Sequence, residues 1–164
     1  MMAERPLWAP WRIEYILSAK TGECIFCEAA AGDEKQCRWV IDRGESCFTM
    51  LNAYPYGPGH ALVAPRRHVA ELDELNDEET LELMVLARRT VAAQREAMSP
   101  DGFNLGLNLG RVAGAGIADH LHLHVVPRWH GDTSFMPVLA DTRVIPQALD
   151  ASKQALVGAL KRLK

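Results

Sequence analysis

HLHLHVV, residues 120–126, sets three of the chain's six histidines at strict alternation, with leucines between them. Side chains on a β-strand alternate faces, so His120, His122 and His124 fall on one side at steps of roughly 6–7 Å. Leu121, Leu123 and Val125 take the other side, toward a core. A solvent-facing strand would normally carry Lys, Glu or Thr there, so a row of imidazoles points to chemistry. Two alternating histidines with carboxylates would suit a metal, but the neighbouring acid, Asp119, falls on the opposite face. Neutral imidazole is a good nucleophile near pH 7, and a neighbouring group can fix its tautomer. Just upstream, GRVAGAG (110–116) is a glycine-rich loop whose backbone N–H groups could converge on phosphate. A nucleophilic histidine beside a phosphate nest reads as phosphoryl or nucleotidyl transfer.

The rest of the chain supplies a frame for that strand. CRWVIDRGESCFTMLN (37–52) reads as two short strands about a turn at Gly44. NAYPYGPGH (52–60) is a loop by its Pro and Gly content, and HALVAP (60–65) a buried strand closed by Pro65. A helix starts at Asn76, which with Glu79 makes a capping-box pattern. Leu81, Met84, Val85, Val91, Ala92 and Met98 follow at near-helical spacing, and SPDG (99–102) ends the helix. FNLGLNLG (103–110) alternates as a strand. A last helix is expected from about Pro146 to Leu163, with Leu149, Leu156 and Leu160 on one side. Short strands with segregated helices make an α+β layer fold.

The 164 residues suit one domain, 1–164, with an aromatic arm at residues 1–20. No apolar run approaches the roughly 18 residues needed to cross a bilayer, and no signal peptide is visible, so a cytoplasmic location is expected. With a net charge of −3 and no basic stripe, a nucleic acid polymer is not the expected partner. A small anionic substrate remains compatible, since a few cations and amides suffice to hold it. Cys24, Cys27, Cys37 and Cys47 do not suggest a disulfide framework in such a compartment. Only CIFC (24–27) has a spacing with chemical meaning: half of a zinc site or, less suitably outside a thioredoxin-like context, a redox pair.

Residues 120–126 resemble the signature of the histidine triad (HIT) superfamily. NAYPYGPGHALVAP, the helix from Asn76, GFNLGLNLG and HVVPRW are similar to the branch holding diadenosine tetraphosphate phosphorylases and fragile-histidine-triad-like hydrolases. The LWAPWRIEYI arm resembles bacterial members. The resemblance implies an antiparallel sheet of about five strands with two main helices, paired in a homodimer. It implies that His122 attacks the α-phosphorus of a dinucleoside polyphosphate, most readily diadenosine tetraphosphate, giving a nucleotidyl-histidine intermediate. His124 would assist the leaving group, and His60 would stand beside the triad. Asn52 would meet the ribose and Asn108 another polar group of the substrate; each could instead cap a turn or strand end. Relatives often carry Gln or Ser where this chain has Gly116, followed by Ile117, so the backbone there would contact phosphate and leaving-group preference stays open. A nucleoside phosphoramidase and a nucleotide-binding signalling protein with little catalysis are the alternative readings.

Zinc-containing members resemble this chain in their Cys-x-x-Cys motif. Their remaining ligands match His68 and His120, implying a structural zinc on Cys24, Cys27, His68 and His120 and no metal in the attack itself. Arg128 could add charge near a polyphosphate tail or form a surface ion pair. Trp8, Trp11, Trp39 and Trp129 are expected in packing or dimer contacts, and His130 at the surface.

Overall fold

A computed structural model of the chain describes residues 24–32, 37–132 and 147–163. The expected arm with Trp8 and Trp11, and Pro146, lie outside these residues. The described elements are α1 (Ile25–Ala31), β1 (Val40–Arg43), β2 (Cys47–Leu51), β3 (Ala61–Pro65), α2 (Asp77–Met98), β4 (Gly102–Leu107), β5 (Leu123–Arg128) and α3 (Leu149–Arg162). The strands form one antiparallel sheet in the order β1-β2-β3-β5-β4. The α+β layer fold is therefore as expected, with the two main helices α2 and α3 and, among the described residues, the short α1 in addition.

Register divides the sheet into two faces, because directly opposed residues point the same way. Cys47, Val63, Leu123 and Val125 meet Leu83, Leu86 and Ala87 of α2 on one face. Phe48, Met50, Leu62, Ala64 and His124 share the other through the pairs Phe48–Ala64, Met50–Leu62 and Leu62–His124. Phe26 of α1 packs there. The histidine face is thus the one turned away from the long helix.

Several boundaries differ from the sequence reading. The ladder of β5 starts at Leu123 and continues through Pro127 to Arg128. Proline fits because β3 pairs β5 only as far as Val125, so at Pro127 the strand has a single neighbour, β4. Upstream, a single bond from the Leu121 N–H to the Val69 carbonyl (2.7 Å) guides the chain past His120. β4 ends at Leu107, short of the expected Gly110. The glycine-rich loop holds one turn of 3-10 helix at Arg111–Ala113, and the Gly114 N–H is spent on the Arg111 carbonyl. That amide is not available to a phosphate nest.

The predicted capping box on α2 is present: the Glu79 N–H donates to Asn76 Oδ1 at 2.8 Å and the Asn76 N–H to Glu79 Oε2 at 3.1 Å. The stripe on that helix is displaced, however. Leu81 and Met84 are 67% and 53% exposed, while Leu83, Leu86, Ala87, Thr90, Ala93 and Gln94 face inward. Thr90 and Gln94 are polar residues in the buried row, which blurs the apolar period; Thr90 Oγ1 donates back to the Leu86 carbonyl at 2.8 Å. On α3, Leu156 and Leu160 are buried and Leu149 packs against them, as expected. α1 was not foreseen: it is short, has no side-chain N-cap bond at Cys24, and is closed by Gly32 in the left-handed region (φ 97°).

Candidate active site and metal centre

Two strands and two loops bring His60, His122 and His124 together. His60 precedes β3, whose Leu62 stands opposite His124. Gly59 sets the turn before it: its φ is +72°, and a Cβ there would lie 2.6 Å from Met98 Sδ. The buried Gln94 amide of α2 donates to the Gly59 carbonyl at 2.9 Å, tying the turn to the helix.

The hydrogen bonds fix every ring's tautomer. The Tyr56 backbone N–H donates to His60 Nδ1 at 3.0 Å, so that nitrogen carries no proton. His60 Nε2–H then donates to His124 Nδ1 at 2.9 Å. This leaves the proton of His124 on Nε2, which faces the Asn108 Nδ2 amide, itself a donor, at 3.4 Å. His122 Nδ1–H donates to the His120 carbonyl at 2.8 Å, leaving the Nε2 lone pair for attack. The neighbouring group that fixes the His122 tautomer is therefore a backbone carbonyl. The His122 and His124 ring centroids are 4.9 Å apart, edge to face.

Burial favours the neutral form of His122 and His124. It lowers the His122 pKa, against the partial opposition of the His120 carbonyl. It also lowers that of His124 to about 4, with His122 adding to the effect. Tyr56 closes one side, tilted by 34° at 4.6 Å from His60 and stacked at 5.8 Å on His124. Gly106 lies opposite His124 in register and adds no side chain beside it.

The other expected contacts are placed unevenly. Asn52 Oδ1 accepts the Tyr54 N–H at 2.9 Å and its amide lies 3.4 Å from His60 Nδ1, so it closes the loop as well as bordering the site. Gly116 is half-buried, and Ile117 packs partly into the apolar core. Arg128 is committed to Asp132 through two bonds of 2.6 and 2.8 Å, and to Asn104 Oδ1 at 2.7 Å: it forms the surface ion pair. His130 is at the surface, bonded to Asp101 at 3.0 Å. Trp39 is buried and Trp129 donates to the Met98 carbonyl, both in packing roles.

His120 faces a second cluster. The donor atoms of Cys24, Cys27, His68 and His120 all lie within 4.8 Å of one another. His120 Nδ1 is 3.2 Å from Cys24 Sγ and 3.3 Å from His68 Nδ1, and Cys27 Sγ is 3.2 Å from His68 Nδ1. Donors around a tetrahedral zinc stand about 3.3–3.8 Å apart, from bonds of roughly 2.3 Å to sulfur and 2.0–2.1 Å to nitrogen. Tautomer and charge agree. His120 Nε2–H donates to the Pro65 carbonyl at 2.9 Å, turning the Nδ1 lone pair toward the thiols. Burial, then the hydrogen bond and charge of Cys24, push the Cys27 thiol up to about 11, so two thiolates side by side need a cation. Arg67, next to His68, grips the capping-box Glu79 at 2.8 and 2.9 Å and fixes that loop to α2.

Residues that the sequence reading missed include Phe26, whose ring lies 5.0 Å from His120 and 4.9 Å from His122, Tyr56 and Gln94. The signals for the first two were their positions inside CIFC and YPYGPGH.

Residues 33–131 match the model of the HIT domain. The chain is 39% identical over 160 residues to the AP-4-A phosphorylase of Mycobacterium tuberculosis, covering 92% of this chain and 81% of that protein. It is 33% identical over 105 residues to an adenosine 5′-monophosphoramidase of Schizosaccharomyces pombe, covering 64% of this chain and 74% of the other. Among solved structures, a Zn-bound histidine triad family protein from Mycobacterium smegmatis superimposes with a TM-score of 0.71 at 32% identity, covering 86% of this chain and 95% of that one. This chain belongs to the HIT family.

Proposed function

We propose that the chain is a nucleotide phosphorylase or hydrolase that cleaves a dinucleoside polyphosphate, diadenosine tetraphosphate foremost, through a nucleotidyl intermediate on His122. The observation that carries this reading is the His122 Nδ1–H bond to the His120 carbonyl, which leaves an unshared lone pair on Nε2 of a neutral ring. That nitrogen attacks the α-phosphorus, a P–N bond forms, and the bond from phosphorus to the bridging oxygen breaks. The His124 Nε2–H, held in place by His60 and the Tyr56 amide, hydrogen-bonds the departing oxygen. Phosphate or water then takes the nucleotidyl group and frees His122. Asn52 and Asn108 contact the nucleotide, and the backbone at Gly116 and Ile117 borders its phosphate. The relative named AP-4-A phosphorylase supports this substrate class. The phosphoramidase relative supports an amide leaving group as the second reading.

Cys24, Cys27, His68 and His120 hold a structural zinc; when bound, it neutralises the thiolates and cross-links the loops while taking no part in attack. Residues 1–164 act as one domain in the cytoplasm. Two copies pair as a homodimer through the outer edge of β4, where Leu105 is 44% exposed and no further strand pairs among the described residues. No described helix is long and apolar enough to cross a membrane.

The test is product analysis of diadenosine tetraphosphate with and without inorganic phosphate. ADP and ATP appearing only with phosphate establishes a phosphorylase; AMP and ATP in both tubes establishes a hydrolase. No turnover in either, with release of ammonia from an adenosine phosphoramidate, replaces this reading with the second.

A further inference from the structure

Phe26 occupies a place that neither the metal centre nor the transfer reaction accounts for by itself. It sits between Cys24 and Cys27, is fully buried, and stands against two histidines with different tasks. Its ring lies 5.0 Å from the His120 imidazole, inclined by 38°, and 4.9 Å from that of His122, inclined by 30°. His120 in turn gives its side chain to the Cys–His cluster and its carbonyl to His122 Nδ1–H, at 2.8 Å. Two links therefore run from the cluster to the same imidazole, one through the His120 main chain and one through α1.

The geometry assigns to Phe26 a positioning role for His122. A single hydrogen bond at Nδ1 lets an imidazole tilt about its Cβ–Cγ bond without losing its partner. A phenyl ring stacked on one face, with His124 edge-on at 4.9 Å on another side, removes that freedom and keeps Nε2 aimed at one point. α1 is only seven residues long and carries the two thiols at its start, so the cluster joins the burial of Phe26 and Ala29 and the bonds of Cys37 and Arg43 to the Ala29 carbonyl in holding the stacked ring in place. The aim of His122 thus depends on the cluster, although no ligand atom of the cluster touches a reacting group. This inference rests on His122 being the nucleophile.

The test replaces Phe26 by Leu and, separately, by Met, either of which fills the volume without a flat ring. Each variant is compared with the intact protein for zinc content, for kcat and KM, and for the histidine-ring ¹H–¹⁵N spectrum. The expected result is a kcat lowered by about tenfold or more with KM within about twofold, zinc content unchanged, and a His122 Nδ1–H signal broadened by motion. An unchanged His122 signal or an unchanged kcat overturns the assignment, and so does a parallel loss of zinc, which would make Phe26 a support of the cluster alone. Should both variants fold poorly, the intact protein stripped of metal by a chelator gives the same reading: a His122 signal as sharp as before removes the dependence on the cluster. Trapping labelled nucleotide on the intact protein separates the two levels. Label absent from His122 sinks the nucleophile reading, while the ring spectra still decide what Phe26 does.

Discussion

At the residue scale the decisive quantity is where each imidazole proton sits. A backbone amide at Tyr56 starts a one-way chain through His60 to His124, so His124 presents a donor at Nε2 while remaining neutral. His122 is neutral too, with its lone pair outward. Replacing His122 by Ala should lower turnover by about a thousandfold or more while nucleotide binding, followed by titration calorimetry, stays detectable. The pH behaviour follows from the same burial. An unfolded histidine titrates near 6.5, whereas folded His124 does so at about 4. Between those values the unfolded chain holds the extra proton, so His124's contribution is complete above about pH 6.5 and is lost as pH falls toward 4. Urea midpoints measured from pH 7.5 down to 4.5 should therefore decline, yet kcat should persist below the ordinary histidine range because burial favours the neutral form of both rings. A rate that collapses between pH 7 and 6 would mean that one of them titrates in its ordinary range.

At the element scale α2 is both scaffold and clamp. Its capping box engages Glu79, which also binds Arg67 beside His68; Glu82 accepts the N–H groups of Glu45, Ser46 and Cys47 at 2.6–2.9 Å and fixes the β1–β2 turn. Asn76→Ala should cost about 1 kcal/mol, read as a lower thermal midpoint, with zinc content as a second readout because Glu79 would lose one of its partners. The cap was legible in sequence because its two residues are four apart or less and bond locally. The buried face of α2 was not. Gln94 is inward because distant carbonyls, those of Gly59 and Val125, receive its amide, and Thr90 because its hydroxyl is satisfied by the Leu86 carbonyl; nothing in an apolar period announces either. The triad was legible from its alternation alone, and the ligand set from resemblance. Phe26 was not, since α1 earns its place only against histidines nearly a hundred positions later.

At the scale of the whole molecule, the sheet carries two sites that share one residue, His120. Dialysis against a strong chelator should remove about one zinc per chain and lower the denaturation midpoint, with sheet content retained in the circular dichroism spectrum because the strands pair independently of the cluster. A midpoint that does not move would show that the thiols hold no structural metal. Sedimentation should give twice the 18.2 kDa chain mass, reduced to one copy by Leu105→Lys at the open edge of β4; a monomer in the unaltered protein would remove the proposed pairing. The cluster's donors span residues 24 to 120. During synthesis Cys24 and Cys27 therefore leave the ribosome long before His120 exists to join them. The first of the described helices is among the last pieces to be fastened, and a cell poor in metal would release molecules with a finished sheet and an α1 open to proteases.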